Sequence, residues 1–219
     1  MRTSLSSDCL REYLGHQLGH FFPDGRACPL DRVVDIALER LAVCFAPVRL
    51  RMYRSGSEIV FNHLHSDHYA TFLFLASNIA FHQGQIELAS KLYCLNKSLN
   101  GLMCMYDNDL PEHFLLIHTA GMLLGKAQYG DYFVAIHNAG VGTDRGRQPS
   151  IGPGVVIYGG AKVIGSCDIG RNVTVAANAL VRNEAIPPGH VVAGSSPSLV
   201  VKPAKRPLIR EFYEGPDLD

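Results

Sequence analysis

The 219-residue sequence lacks any hydrophobic run long enough to cross a membrane. A spanning helix needs about 20 consecutive apolar residues, whereas the longest candidate, residues 72–76, ends at Ser77. An apolar leader is also lacking, because charged residues such as Arg11 and Glu12 fall within the first dozen positions. We therefore expect no membrane partner, no secretion signal and a cytoplasmic location.

The sequence also has no excess of either charge and no clustered cysteines. Its 20 Lys and Arg balance 20 Asp and Glu, which excludes a general attraction to nucleic acid. No two cysteines form a C-x-x-C pair, a pattern that favours reduced thiols over a disulfide framework or a zinc knuckle. The six cysteines are at positions 9, 28, 44, 94, 104 and 167.

Glycine and proline are scarce in the first half of the chain. Residues 1–109 contain six glycines and three prolines, while 110–203 contain fourteen and seven. Apolar residues at helical spacing predict an all-helical domain over 1–109, with helices beginning at Asp31 and covering 67–81 and 85–99. A short alternation over 59–61 indicates an extended segment.

The second half contains an internal repeat of six residues. Such a period fits neither an α-helix nor a lone strand, but it fits a triangular coil in which each hexad forms one flat side. Three hexads then make a turn of about 18 residues, with glycine and asparagine at the corners where a positive φ is required. The repeated large apolar residues are Ile151, Ile157, Val163, Ile169, Val175 and Val181, and their smaller partners are Val155, Ala161, Cys167, Val173 and Ala179.

The same register extends towards the N-terminus and defines the predicted domains. It passes through Leu110, Leu116 and Met122, slips by one residue, and continues through Tyr129, Ala135 and Val141. We therefore predict a coiled domain over 110–203, followed by a tail over 204–219. The ten-residue spacing between Val141 and Ile151 predicts that residues 142–150 form an extruded loop, a common location for functional residues.

Four short segments, in order along the chain, resemble those of serine O-acetyltransferases. Segment 67–71 reads Asp-His-Tyr-Ala-Thr, near that family's Asp-Arg-Tyr-Ser-Thr, and segment 118–121 reads His-Thr-Ala-Gly, near its His-Ala-Thr-Gly. Segment 147–149 reads Arg-Gln-Pro instead of Arg-His-Pro, and 193–203 resembles the terminal Ala-Gly-x-Pro-Ala and Lys-Pro pattern. The resemblance implies an α+β protein whose left-handed parallel β-helix of hexapeptide repeats follows the helical domain. It also implies a homotrimer or a dimer of trimers.

The resemblance further implies acetyl transfer from acetyl-CoA to serine, the reaction that forms O-acetylserine for cysteine biosynthesis. His118 falls on the catalytic histidine, and imidazole is the side chain whose ordinary pKa suits a general base near neutral pH. Asp67 would then face the ammonium of the small-molecule acceptor, and Arg147 would hold its carboxylate. We add Gln148 and His137 as acceptor-binding candidates. For coenzyme A the resemblance points to Ala161, Ala176, Ala177, Ser196 and Lys202.

Three departures from the family pattern leave the acceptor open. Ile117 stands where the family has an aspartate before the histidine, and Gln148 replaces the second histidine of the loop. Met103 stands where an aspartate should orient the catalytic histidine, so the nearest carboxylates, Asp107 and Asp109, become the predicted catalytic partners of that histidine. An acceptor such as a sugar or another hydroxyl compound is therefore the alternative within acyl transfer.

A zinc-dependent hydrolase is the first alternative from another class of enzyme. His63, His65, Asp67 and His68 spell H-x-H-x-D-H, a pattern of ligands that could hold zinc and activate water. The fold that uses this signature needs further ligands and more chain than precedes the repeat. For this reason we expect no bound metal.

Two other functions use the coiled domain itself. His118 and His137 are 19 residues apart and should stack, as zinc-binding histidines do in prism-type carbonic anhydrases. Neither His113 nor His190 falls in register as the third ligand that such a site requires. A non-enzymatic assembly scaffold is the remaining alternative, because the usual orienting carboxylate is missing.

Overall fold

A computed structural model of the protein describes residues 1–26 and 28–215, and its N-terminal part is largely helical. A small sheet accompanies the helices, with strand order β1-β3-β2, so the expectation of an all-helical domain was wrong in this detail. The extended segment predicted over 59–61 is confirmed as part of β3. The elements are β1 Arg2–Thr3, α1 Ser7–Phe21, α2 Asp31–Phe45, a 3₁₀ turn Arg51–Tyr53, β2 Arg54–Ser55, β3 Glu58–Phe61, α3 Ser66–His82 and α4 Ile86–Asn100.

Helix α3 is the centre of the N-terminal part. Its residues 67–80 are all buried, because the helix packs against α2 on one side, α4 on another and the strand Phe114–Ile117 of the second half. Helix α1 has an apolar stripe of Leu10, Leu14 and Leu18, and Ser6 begins it by accepting a hydrogen bond from the Cys9 amide. No helix among the described residues is long and apolar enough to span a bilayer.

The second half is a parallel β-solenoid, as the six-residue repeat predicts. Its strands stack in three columns, β4-β6-β9-β12-β15, β5-β8-β11-β14-β17 and β7-β10-β13-β16. The strands are β4 Met103–Cys104, β5 Phe114–Ile117, β6 Leu123–Leu124, β7 Gln128–Tyr129, β8 Phe133–Ile136, β9 Gly140–Gly142, β10 Ser150–Ile151, β11 Val156–Ile157, β12 Lys162–Ile164, β13 Asp168–Ile169, β14 Thr174–Val175, β15 Leu180–Arg182, β16 Ala185–Ile186, β17 His190–Ser195 and β18 Ser198–Pro203. Strand β18 returns antiparallel to β17, and a 3₁₀ turn at Leu208–Glu211 follows it.

Register pairs confirm the predicted turn of three hexads. Strand pairing joins Ile151 to Ile169, and Ile157 and Val163 lie beside residues 18 positions further along in the same way. The repeated large residues and their small partners fill the interior of the coil, where all of them are buried. Burying one large aliphatic side chain contributes about 1.5–3 kcal/mol, so the repeat itself supplies the core of this domain.

The first turns of the solenoid differ from the predicted register in one detail. Leu116 pairs with Ala135, which confirms the one-residue slip, but the partner of Val141 is Leu124, two residues beyond the predicted Met122. Met122 is also buried. The stack begins with β4 at Met103, before the predicted boundary at 110, because β4 pairs with β6. The domain limits and the left-handed sense of the coil stay predictions.

Candidate active site

His118 occupies a corner of the solenoid directly after β5. Leu116 points into the core, and the chain turns at His118 with a φ of 54°, a left-handed conformation that histidine adopts more readily than most residues. The imidazole is 73% exposed. A basic ring nitrogen is therefore accessible to a molecule that approaches this corner from outside.

Asp67, in the first turn of α3, is the carboxylate that contacts His118. Its side chain is only 5% exposed, its Oδ1 accepts a hydrogen bond of 2.9 Å from the His118 amide, and its Oδ2 lies 3.7 Å from Nδ1. A buried carboxylate needs such partners because burial without them is costly. The 3.7 Å separation is an ion-pair distance and exceeds a hydrogen bond. With a proton on Nδ1 facing Asp67, the lone pair of Nε2 would be free to act as a base.

His137 lies beside His118 on the next turn of the solenoid. Because Ile117 pairs with Ile136, the two histidines occupy equivalent corners, with ring centroids 6.5 Å apart. One turn further, Gly159 provides the space for the His137 ring, since a Cβ there would lie 2.4 Å from His137 Nε2. Both imidazoles are exposed. They form a pair of exposed polar groups on one edge of the solenoid.

The extruded loop carries Arg147 and Gln148, and both are exposed. Reciprocal backbone hydrogen bonds of 2.9 and 3.0 Å join Asp144 to Arg147 and close a tight hairpin. Across the described residues, the guanidinium of Arg147 forms no hydrogen bond or ion pair, and neither loop side chain is bonded to His118. Arg147 therefore retains its full capacity for a carboxylate.

Asp107 and Asp109 contact groups other than His118. Asp107 forms an ion pair of 3.0 Å with Lys126, and Asp109 lies 3.2 Å from His82 Nε2. Both belong to the turn between β4 and β5, which Asn78 of α3 holds by donating to the carbonyl oxygens of Tyr106 and Asn108. The structure therefore brings His118 together with Asp67, to which the sequence had assigned the ammonium of the acceptor, and not with these two carboxylates.

The predicted coenzyme A residues are distributed over the later turns. Ala177 is exposed and falls on the same corner as His118, His137 and Gly159, since β11 and β14 pair with an 18-residue offset. The amides of Ala161 and Ala176 donate to backbone carbonyls within the solenoid, so they are not free for a ligand. Ser196 Oγ accepts a hydrogen bond of 2.9 Å from the Arg182 amide, and Lys202 is exposed on β18.

An apolar groove that the sequence analysis missed runs along the neighbouring column of strands. It has a volume of about 180 Å³ and begins at Gly121, three residues after His118. Gly121, Gly140 and Gly142 line the groove without side chains that would fill it. Leu123 and Ile164 provide apolar surface on its sides. The available signal was glycine at these three positions, between the predicted catalytic histidine and the start of the extruded loop.

The H-x-H-x-D-H segment is divided among three different environments. His63 Nδ1 pairs with Ser4 Oγ at 2.8 Å, Asp67 faces His118, and His65 and His68 stack on each other at 4.2 Å. Burial, with a smaller contribution from the charge of His65, lowers the pKa of His68 to about 3. Within residues 1–26 and 28–215, no three His, Cys, Asp or Glu side chains are arranged to hold a metal. The ligand set of the zinc hydrolase is therefore not assembled.

The third histidine required by the carbonic anhydrase alternative is also engaged elsewhere. His113 Nδ1 pairs with Asp131 at 2.9 Å, and its ring stacks on Tyr132. His190 Nδ1 lies 2.8 Å from the carbonyl oxygen of Pro188. His118 and His137 consequently remain a pair of histidines, consistent with one base and one group that positions the acceptor.

Comparison with known proteins finds a family of transferases and several serine acetyltransferases. Residues 148–183 match the family model described as bacterial transferase hexapeptide (six repeats). The chain is 33% identical over 120 residues to a serine acetyltransferase of Helicobacter pylori, covering 52% of this chain and 70% of that protein. It is 27% identical over 137 residues to the Staphylococcus xylosus enzyme, covering 57% of this chain but only 63% of the relative, less than two thirds.

A solved structure shows the same fold over nearly the whole chain. The serine acetyltransferase of Brucella abortus strain S19, crystallised in complex with coenzyme A, superposes with a TM-score of 0.70 at 20% identity. The match covers 92% of this chain and 83% of that one. The similarity therefore includes both the helical part and the solenoid.

Proposed function

Because the chain belongs to the serine acetyltransferase family, we propose that it transfers the acetyl group of acetyl-CoA to the hydroxyl of serine. The observation that carries this proposal is the exposed imidazole of His118 against the buried carboxylate of Asp67. The similar B. abortus enzyme binds coenzyme A, which supports acetyl-CoA as the co-substrate here.

In this mechanism His118 acts as the general base. Its Nε2 takes the proton of the serine hydroxyl while the oxygen attacks the thioester carbonyl. The C–S bond then breaks, and His118 returns the proton to the departing thiolate of coenzyme A. The products are O-acetylserine and free coenzyme A, and no proton is gained or lost overall.

The surrounding residues position the two substrates. We assign Asp67 to orient His118, because both of its carboxylate oxygens face that residue. Arg147 holds the acceptor carboxylate through two parallel N–H donors, a geometry that a guanidinium provides. His137 lines the acceptor side, and the apolar groove beginning at Gly121 takes the pantetheine arm.

We also propose a cytoplasmic homotrimer, which is able to pair with a second trimer through the N-terminal helices. The location is supported by six unpaired cysteines, three of them buried, as is usual in a reducing compartment. Trimer assembly is supported by the position of His118 on an outer corner, where a neighbouring subunit would complete the site. Light scattering of the purified protein gives the mass of the assembly, and a monomer would contradict this proposal.

The decisive experiment is an acceptor panel with acetyl-CoA. We expect thiol release with serine, together with O-acetylserine detected by mass spectrometry. Release with a sugar or another hydroxyl compound but not with serine would overturn the choice of acceptor. This outcome is tested because Ile117 and Gln148 depart from the family pattern. If no acceptor raises release above the blank, the enzyme proposal fails and the scaffold alternative gains.

A further inference from the structure

The carboxylate of Asp144 attaches the extruded loop to the solenoid. Asp144 Oδ2 accepts hydrogen bonds from Arg182 at 3.0 and 3.3 Å and from the side-chain amide of Asn183 at 3.1 Å. The Asp144 side chain is only 16% exposed although it belongs to a loop. Three charge-assisted hydrogen bonds to one oxygen make a specific anchor rather than an incidental surface contact.

The solenoid provides a shaped seat for this carboxylate. Gly165, one turn below the loop, has a φ of 81°, and a Cβ there would lie 2.9 Å from the Cβ of Asp144 and 2.3 Å from Asn183 Oδ1. The Gly165 amide also donates to the carbonyl of Gly142 at the beginning of the loop, at 2.9 Å. Backbone and side chain together therefore fix the start of the loop on the next turn.

The hairpin transmits this anchor to Arg147. Asp144 and Arg147 exchange two backbone hydrogen bonds, and the intervening Arg145 and Gly146 have φ values of 50° and 77°. Two consecutive residues with positive φ are typical of a tight two-residue hairpin turn, which leaves little freedom for the residues that flank it. The backbone of Arg147 is consequently held in place relative to that of Asp144.

The charges around the loop leave Arg147 available for a ligand. Hydrogen bonds from Asn183 and Arg182 lower the pKa of Asp144, so this carboxylate is ionised at neutral pH. Asp144 and Arg182 neutralise each other, whereas Arg147, on the opposite strand of the hairpin, has no anionic partner among the described residues. Arg182 therefore anchors the loop, whereas the guanidinium groups of Arg145 and Arg147 form no ion pair among the described residues.

We propose that Asp144 is a positioning residue that holds Arg147 where it binds the carboxylate of the acceptor. The inference rests on the proposed function, because it concerns recognition of a serine-like acceptor. Asp144 itself does not contact the substrate. Its contribution is to keep the loop in the binding conformation before the acceptor arrives, which lowers the cost of ordering the loop on binding.

The test separates acceptor binding from the chemical step. Asp144→Asn keeps the size of the side chain and removes its charge, and we expect the KM for serine to rise about tenfold or more, as for loss of charged hydrogen bonds. The kcat and the KM for acetyl-CoA should change little. Asp168→Asn, at an exposed aspartate of β13, is the matched control and should leave the KM for serine unchanged.

Two further variants keep the test decisive. Arg182→Gln removes the donors from the other side of the anchor and should raise the same KM, even if Asp144→Asn folds poorly. In an Arg147→Ala background, Asp144→Asn should add little, because positions that act through one another are not additive. The inference would be overturned if the double variant raised the KM for serine by the product of the two single-variant increases. It would also be overturned if Asp144→Asn and Arg182→Gln both left that KM unchanged. A wild-type protein inactive with serine would instead overturn the proposed function.

Discussion

Two histidines at opposite ends of strand β5 are each paired with an aspartate, and their environments differ. His113, before the strand, lies 2.9 Å from Asp131, stacks on Tyr132 with nearly parallel rings, and has a side chain only 15% exposed. In the second pair, the carboxylate of Asp67 is buried and the imidazole of His118 is exposed. The enclosed ring of His113 therefore suits a structural role. The ring of His118 is accessible to a substrate, because only its aspartate partner is buried.

Replacing each imidazole gives the largest expected difference between the two pairs. His118→Ala should lower kcat by about 10²–10⁴, the range for a general base, with coenzyme A affinity nearly unchanged. His113→Ala should leave kcat essentially unchanged, because that ring is committed to Asp131 and Tyr132. Thiol release measures kcat, and calorimetric titration measures coenzyme A affinity. Equal losses of activity in both variants would contradict the assignment.

Replacing each carboxylate gives the next effect. Asp67→Asn keeps an oxygen for the His118 amide and removes the charge that faces Nδ1. We expect kcat to fall by about 10–100-fold, since interactions with a charged group contribute about 1.5–3 kcal/mol. Asp131→Asn makes the same change in the other pair and should leave kcat unaltered. A fully active Asp67→Asn would contradict the assignment of Asp67 as the group that orients His118.

The sequence predicts the solenoid well because its core is a local repeat. Every large residue of the six-residue register from Ile151 to Val181 is buried, so the period alone determines which side chains face inwards. The prediction is wrong at one position, where Leu124 and not Met122 pairs with Val141. Helix α1 was not predicted, although its three leucines at spacings of four provided a signal.

The site is less predictable because its main contact is not local. Asp67 and His118 are 51 positions apart and meet only because α3 packs against β5. Short motifs identify both residues, but they assign Asp67 to the substrate and leave Asp107 and Asp109 as partners of the base. Sequence spacing does not encode how a helix and a coil are packed together, so the partner of His118 emerges only from the tertiary structure.

For the free energy of unfolding, we expect the larger loss at His113 and the smaller loss at His118, the reverse of the order expected for kcat. His113→Ala removes a mostly buried ring and leaves the Asp131 side chain with fewer donors, which we expect to lower the free energy of unfolding by about 1–3 kcal/mol. His118→Ala removes a mostly exposed ring and keeps the amide that donates to Asp67, so we expect a smaller loss of about 1 kcal/mol or less, part of it from alanine at a φ of 54°. Urea denaturation of both variants measures these changes. A larger loss in His118→Ala would mean that the exposed ring is structural.

His68, directly after Asp67 in the chain, extends the comparison to a third imidazole. It is buried and forms no ion pair with the described residues. His68 is fully buried, its Nδ1 accepts a hydrogen bond of 3.2 Å from the Asn62 amide, and burial lowers its pKa from 6.5 to about 3. Between these two pH values the unfolded chain binds a proton at this position and the folded chain does not. The free energy of unfolding therefore falls as pH decreases from 6.5 towards 3, by up to about 1.4 kcal/mol per pH unit from this group.

Urea denaturation of the wild type and His68→Gln at pH 7, 6 and 5 isolates this contribution from the cost of the substitution itself. Glutamine does not titrate in this range, so the variant should lose stability less steeply with falling pH even if it is less stable throughout. His16→Gln, at a side chain 80% exposed, is the matched control for replacing a histidine by glutamine. Parallel slopes for the wild type and His68→Gln would show that His68 accepts a proton in the folded protein. In that case, burial beside Asp67 would not be sufficient to keep an imidazole neutral.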